Sequence, residues 1–224
     1  MGLLRHNASV STATTSLVPL AQALNAGTVA LVQPEHCQQG LQVLQQVVLQ
    51  VKSATASCRA EPRPIRVAPL YQQDECRHTF LHPFVVHVPE HGRMSPGTKR
   101  AMLSIAFFNM AVAHDLQAAS STTGHQERHY GLSQAHATYL YALELLDVPE
   151  LIDPDGSLIY VYLALCLNLD HVESALGVTR THGTGFLRQT RMEALENAFW
   201  TITPNPECPV YQHFERTTSS QCPY

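Results

Sequence analysis

The spacing of apolar residues most constrains what this chain can fold into. In the run QQGLQVLQQVVLQVK, for example, Leu41, Leu44 and Val48 recur three or four positions apart and so fall on one helical face. The same spacing recurs along most of the chain, which predicts an all-α fold. The segments that carry it are 17–33, 38–52, 97–119, 131–147, 157–176 and 185–202.

The stretch 53–97 departs from this helical pattern. It contains six prolines, which cannot all lie inside helices because proline lacks the backbone N–H and clashes with the preceding turn. Between the prolines, the runs IRVAPLY and TFLHPFVVHV are rich in β-branched and aromatic residues. We therefore predict one or two short strands or extended segments, inserted between the first and second pairs of helices.

These patterns predict one helical domain over 17–202, after a flexible N-terminus at 1–16 and before an extended or disordered tail at 203–224. Hydrophobic residues make up 45% of the chain and charged residues 14%, so a sizeable core can form. The longest apolar run, 158–169, is shorter than the ~20 residues that span a bilayer. It predicts a helix buried on several sides, with no membrane partner.

Charge and cysteine usage narrow the class of protein further. The net charge is −4 and no basic run occurs, which argues against nucleic-acid binding, because that needs a basic face. The six cysteines form no C-x-x-C pair and indicate reduced thiols in an intracellular, cytoplasmic protein. The N-terminus is rich in Ser and Thr but has only Arg5 as a basic residue, which leaves organelle targeting open.

An asparagine occurs in a similar apolar setting in the first helix of each predicted pair. Asn25 lies in ALNAGTVAL, Asn109 in FFNMAVAHDL and Asn168 in LCLNLDHVESALG. This arrangement resembles the tetratricopeptide repeat (TPR), a helix–turn–helix unit of about 34 residues. In that alignment the asparagines take the sixth position, where the family often has asparagine. Gly27 and Ala111 take the eighth, which the family keeps small so that helices approach closely.

The resemblance is degenerate. Asp170 stands at the small eighth position of the third repeat, and the links before Ala135 and after Gly177 are longer than the family has, by roughly a dozen residues. The second repeat does offer Ala135, Tyr139 and Ala142 at the family's spacing. The resemblance implies a TPR-like stack of about three helical hairpins, and an irregular helical bundle is the alternative.

TPR stacks present the first helix of each hairpin along a concave groove that binds peptides. The resemblance therefore implies a non-catalytic scaffold or adaptor that binds another protein or a peptide. A purely structural role, in which each asparagine bonds neighbouring helix backbone, is the favoured interpretation of those side chains. The candidate groove residues are Asn25, Asn109, Asn168 and Phe108.

One TPR subclass clamps the C-terminal carboxylate of a chaperone with cations and asparagine at the second and sixth positions. In this chain Ala21, Ile105 and Ala164 fill the second positions. With no cation there, we expect no binding to a chaperone of that kind.

A metal site is the alternative function. The segment 76–91 holds one cysteine and four histidines, two pairs of which have a spacing found in zinc sites. However, Pro83 and Pro89 interrupt any regular element that would align them, and histidines are spread over the whole chain. The alternative ligands are Cys76, His78, His82, His87 and His91.

An unrecognised enzyme is the third possibility. No G-x-S-x-G, H-E-x-x-H, phosphate-binding loop or dinucleotide fingerprint occurs. The neighbours His36 and Cys37 would point apart on a helix, so they do not make a nucleophile and its base. We therefore predict no enzymatic activity and no cofactor.

Overall fold

The computed structural model describes residues 16–57, 65–70, 80–120, 124–146 and 157–178. Within these ranges the chain is mostly helical, as predicted, and two short strands lie in the predicted insertion. The predicted helix 185–202, the N-terminus 1–15 and the tail 203–224 lie outside the described residues. The elements are α1 (Leu17–Leu31), α2 (Cys37–Ser53), β1 (Arg66–Pro69), β2 (Phe84–His87), α3 (Pro96–Ser120), α4 (His125–Glu144) and α5 (Ser157–Leu176).

Helices α1 and α2 form the first hairpin, joined by the short 3-10 turn Pro34–His36. Their apolar faces meet at two glycines, which let the helix axes approach closely. A Cβ atom on Gly40 would lie 2.8 Å from the carbonyl oxygen of Gly27 and 2.8 Å from the amide nitrogen of Leu31. The close crossing therefore depends on the absence of a side chain at position 40.

Helices α3 and α4 form the second hairpin and run antiparallel. Ala118 lies against Gly131 near one end, and the Ser104 hydroxyl donates a hydrogen bond to the Ala142 carbonyl, 2.8 Å away, near the other. The prediction that α4 begins at 131 was wrong, because α4 begins at His125. The residues 125–130 are exposed and polar, so they leave no apolar periodicity to detect. Most of the residues predicted to link α3 and α4 therefore belong to α4, and only residues 121–124 separate the two helices.

Helix α5 is buried on several sides, as predicted for its apolar run. Residues 158–166 are all buried, and α5 packs against α4. The helix ends at Gly177 with φ +66°, where the Val178 and Gly177 amides donate back to the carbonyls of Glu173 and Ser174. This is a Schellman motif, in which glycine adopts the left-handed conformation without strain. The predicted helix end at Gly177 is therefore confirmed.

The packing order follows the chain. Helix α2 packs against α3, and α4 against α5, so that one hydrophobic core runs through all five helices. Along the described part of the chain, none of the helices combines the length and the apolar character needed to cross a membrane.

The two strands form an antiparallel pair in which Val67 lies opposite Val86. Strand β2 lies against α1 and α3, and β1 lies against α5. The sheet therefore contacts the first helix of each hairpin as well as α5. This position brings the insertion to the three helices that carry the candidate asparagines.

Candidate binding groove

The three candidate asparagines all bind one segment of the chain itself. We call residues 80–87 the internal segment. Asn25 on α1 binds Val86, Asn109 on α3 binds Phe84, and Asn168 on α5 binds Phe80. In each case the side-chain Nδ2 donates to the carbonyl and the Oδ1 accepts from the N–H of the same residue. The six donor–acceptor distances lie between 2.7 and 2.9 Å.

A carboxamide suits this task because it carries the same donor and acceptor as a peptide group. In a strand, successive residues point their N–H and C=O groups to opposite edges. One edge of the internal segment faces the asparagines. On the opposite edge the Pro83 carbonyl accepts a 2.7 Å hydrogen bond from the Leu70 amide, next to the pairing of β1 with β2. The asparagine side chains therefore provide the hydrogen bonds that a neighbouring strand would make with this edge of the internal segment.

Asn109 lies at the centre of this arrangement and is completely buried. Its second N–H donates to the hydroxyl of Thr28 on α1, 2.8 Å away, and that hydroxyl in turn donates to the Leu24 carbonyl. Both N–H donors of the amide are thus used, which orients it toward Phe84. The contact also ties the first hairpin to the second.

Asn168 is held in the same way by a different helix. Its second N–H donates to the hydroxyl of Tyr139 on α4, 3.0 Å away. Tyr139 is completely buried, and burial, together with the nearby Asp115 carboxylate, raises its pKa well above the usual value. The phenol therefore remains neutral and can accept this hydrogen bond over the physiological pH range.

The apolar side chains of the internal segment fill the space between the helices. Phe80 and Phe84 are 0% exposed and Val86 is 2% exposed. The rings of Phe80 and Phe84 stack with their centroids 5.3 Å apart, and Phe84 lies 5.1 Å from the ring of Phe108. Burial of each such side chain contributes about 1.5–3 kcal/mol.

Phe108, the fourth candidate groove residue, is buried beneath the internal segment. Its ring lies between those of Phe84 and Tyr139, with centroids 5.1 and 5.8 Å away. The Phe84 ring therefore packs against Phe108 at the base of the groove.

A buried carboxylate lies near the Asn168 end of the groove. Asp115 on α3 is 3% exposed, and its Oδ2 has no hydrogen-bond partner. Burial raises the pKa of this carboxyl, and the nearby His171 partly opposes the shift. An unsatisfied buried carboxylate destabilises a fold when it is ionised.

The five alternative metal ligands are not brought together as far as the structure describes them. His82 is half-buried against the edge of the Phe80 ring, and burial lowers its pKa, whereas His87 and His91 are exposed. Cys76 and His78 lie outside the described residues. Among the described residues, no three His, Cys, Asp or Glu side chains form a group that could hold a metal ion.

The residues that the TPR resemblance assigns to the second repeat positions are buried apolar groups. Ala21, Ile105 and Ala164 are each at most 3% exposed. None of the three can supply the cation that a carboxylate clamp requires.

The sequence pointed to the asparagines but not to what they bind. The Asn109 and Asn168 contacts with the internal segment span 25 and 88 positions along the chain, respectively. Nothing in the sequence indicated that the hydroxyls of Thr28 and Tyr139 bind the asparagine side chains. The one available indication was the apolar character of Phe80, Phe84 and Val86, all at even positions of the insertion.

Comparisons of the chain with protein-family models, with curated proteins and with solved structures find no match.

Proposed function

We propose that this protein is a non-catalytic interaction module, a TPR-like stack whose groove binds an extended segment of a partner protein. The observation that carries the proposal is the set of three carboxamides on α1, α3 and α5. Each recognises both main-chain groups of one residue in an extended segment. Main-chain recognition of this kind suits a polypeptide ligand, because every residue except proline offers the same two groups.

The arrangement of the helices supports the TPR-like part of the proposal. Asn25 and Asn109 come from the first helices of the two described hairpins, and Asn168 comes from α5. Gly27, Gly40 and Gly131 let the paired helices approach closely. Hairpins stacked in chain order leave their first helices along one side. The internal segment lies along that side, which is where a stacked repeat array presents its binding surface.

In the described state the internal segment occupies the groove, so a partner segment has to replace it. The open variant tests whether the groove accepts a polypeptide in trans. This variant is the full-length chain in which Phe80, Phe84 and Val86 are each changed to Ser. Its internal segment keeps its length but loses the apolar side chains that hold it in place.

The experiment measures binding of a fluorescent peptide with the sequence of residues 78–90 to the open variant. We expect saturable binding that Asn109→Ala, added to the open variant, weakens about tenfold or more, because two main-chain hydrogen bonds are lost. Gln42→Ala, an exposed amide on α2, is the matched control and should leave the affinity unchanged. Absence of binding, or equal binding by the Asn109 and Gln42 variants, would contradict the proposal.

A further inference from the structure

The side chains of the internal segment, and not its main chain, determine which sequences the groove can select. The asparagines bond N–H and C=O groups that every residue except proline shares, so they do not distinguish one sequence from another. The same three residues that they bond, Phe80, Phe84 and Val86, have side chains that are almost completely buried, and Pro83 of this segment is buried as well. Selectivity therefore resides in the apolar sites that receive these buried side chains.

Other positions of the internal segment are less restricted. His87 is exposed and Val85 is partly buried, whereas Leu81 packs against the hydrophobic core. Substitutions at Val85 and His87 therefore change little of the buried surface. The sequence requirement of the groove is consequently an aromatic residue, three intervening residues of which the first is apolar and the last is a buried proline, a second aromatic residue, one unrestricted residue and a branched aliphatic residue.

We propose that the partner segment carries this pattern, with aromatic residues at its first and fifth positions and a branched aliphatic residue at its seventh. This inference rests on the proposed function and specifies the chemistry of its ligand. The two rings stack on each other, and the second also packs on Phe108, while the aliphatic side chain takes the place of Val86 beside α1.

The spacing is as important as the residue types. The three asparagines project from helices that share one packed core, so the distances between them are fixed. One extra residue between the two aromatic positions reverses the edge to which the following N–H and C=O groups point. Such a segment can align with Asn168 or with Asn109 and Asn25, but not with all three.

Replacement of the internal segment sets the concentration at which a partner acts. A tethered segment has an effective concentration of about 1 mM, so a partner with equal contacts must reach roughly that concentration to displace half of it. A peptide that binds the open variant with a Kd of about 1 μM would therefore bind the native chain about a thousandfold more weakly. The native chain favours partners that are tethered nearby or that make further contacts.

A peptide series tests the pattern on the open variant. The series contains the sequence of residues 78–90, the same peptide with Phe84→Ser, a spacing peptide with one glycine inserted between His82 and Pro83, and a tolerance peptide with Val85→Thr and His87→Gln. We expect the tolerance peptide to bind within about threefold of the native sequence. The Phe84→Ser and spacing peptides should bind at least about tenfold more weakly, because a buried ring or its alignment is lost.

The outcomes separate this inference from the proposed function. If all four peptides bind equally and Asn109→Ala weakens them, the groove binds polypeptides but the pattern is wrong. If none binds, both ideas are wrong. Should the open variant be unfolded alone, the measurement becomes the recovery of helical circular dichroism and of a thermal transition on addition of each peptide, with the same ranking expected.

The native chain provides a second measurement that does not depend on any substitution. Isotope-labelled protein is equilibrated with unlabelled peptides at several times the expected displacing concentration. We expect the native-sequence peptide to shift the amide resonances of Phe84 and Val86 to those of an unstructured segment, and the spacing peptide to leave them in place. If the amide resonances of Phe84 and Val86 keep their positions when the native-sequence peptide is added, the proposed exchange is wrong.

Discussion

At the scale of single residues, the asparagine amides determine how this protein holds its insertion. A buried backbone group without a partner costs about 1–3 kcal/mol, more than a satisfied hydrogen bond contributes. Asn109 satisfies both polar groups of Phe84 at once, and its remaining N–H is used by Thr28. The residue therefore links two hairpins and the internal segment through a single side chain.

Asn109→Ala should destabilise the protein by about 2–4 kcal/mol, because the Phe84 N–H and C=O then remain buried without partners. Urea denaturation followed by circular dichroism measures the change. Asn109→Asp should also destabilise, since a carboxylate keeps the acceptor but has no N–H to donate. Gln42→Ala serves as control, and a loss no greater than the control's would show that the contact is dispensable.

Asp115→Asn should stabilise the protein at neutral pH by about 1–3 kcal/mol, because an ionised carboxylate with an unsatisfied buried oxygen is removed from the core. Burial raises the pKa of Asp115 in the folded state above its unfolded value. Wild-type stability attributable to this group is therefore fully present below the unfolded pKa and is lost as the pH rises through the folded pKa.

The advantage of the Asp115→Asn variant should accordingly shrink as the pH falls from 7 toward 4. Paired urea titrations of variant and wild type at several pH values measure it. The comparison largely cancels the titration of groups common to both chains, and the Coulombic interaction of the Asp115 charge with His171 occurs only in the wild type. An advantage that is constant over this range would show that Asp115 is not the titrating group.

At the scale of secondary-structure elements, local sequence explains where most helices lie, and close packing explains their glycines. Helical periodicity is a property of neighbouring residues, so α2, α3 and α5 were predictable. The start of α4 was not, since its first turns face solvent and carry no apolar face. The strands of the insertion were predictable from β-branched residues, although their pairing was not.

Gly40→Ala should destabilise the first hairpin by about 1–3 kcal/mol, because the new Cβ would meet backbone atoms 2.8 Å away. Alanine otherwise favours a helix over glycine, so any gain in helix propensity opposes this loss. Gly124→Ala is the control without a steric clash, since a Cβ there meets nothing within 4 Å, and its own expected cost is that of alanine replacing glycine at the α4 N-cap. Thermal denaturation of the two variants checks the prediction, and equal transition temperatures would contradict it.

At the scale of the whole molecule, the internal segment joins helices that are distant in sequence. It contacts α1, α3 and α5 through hydrogen bonds, and its stacked rings also pack on Phe108 of α3. The proposed exchange with a partner segment requires that the internal segment leave the groove while the helices stay folded. Such local opening has a smaller free energy than global unfolding.

Native-state hydrogen exchange should show this difference. We expect the amides of Phe84 and Val86 to exchange through an opening whose free energy is lower than that of Phe108 and Ala111 in the centre of α3. Measurement of exchange at low urea concentrations separates the two processes. Equal opening free energies with equal urea dependence would mean that the segment leaves only when the whole domain unfolds.

The sequence by itself determined most of the described helices, the end of α5 at Gly177 and the presence of extended structure in the insertion. These features depend on propensity and periodicity over a few neighbouring residues. It also singled out Asn25, Asn109 and Asn168, because they recur in similar helical settings. Only the tertiary structure decided what they bind, since those contacts join positions 61, 25 and 88 residues apart. A carboxamide fits any main chain equally well, so its partner is set by which segment the packed helices bring within reach.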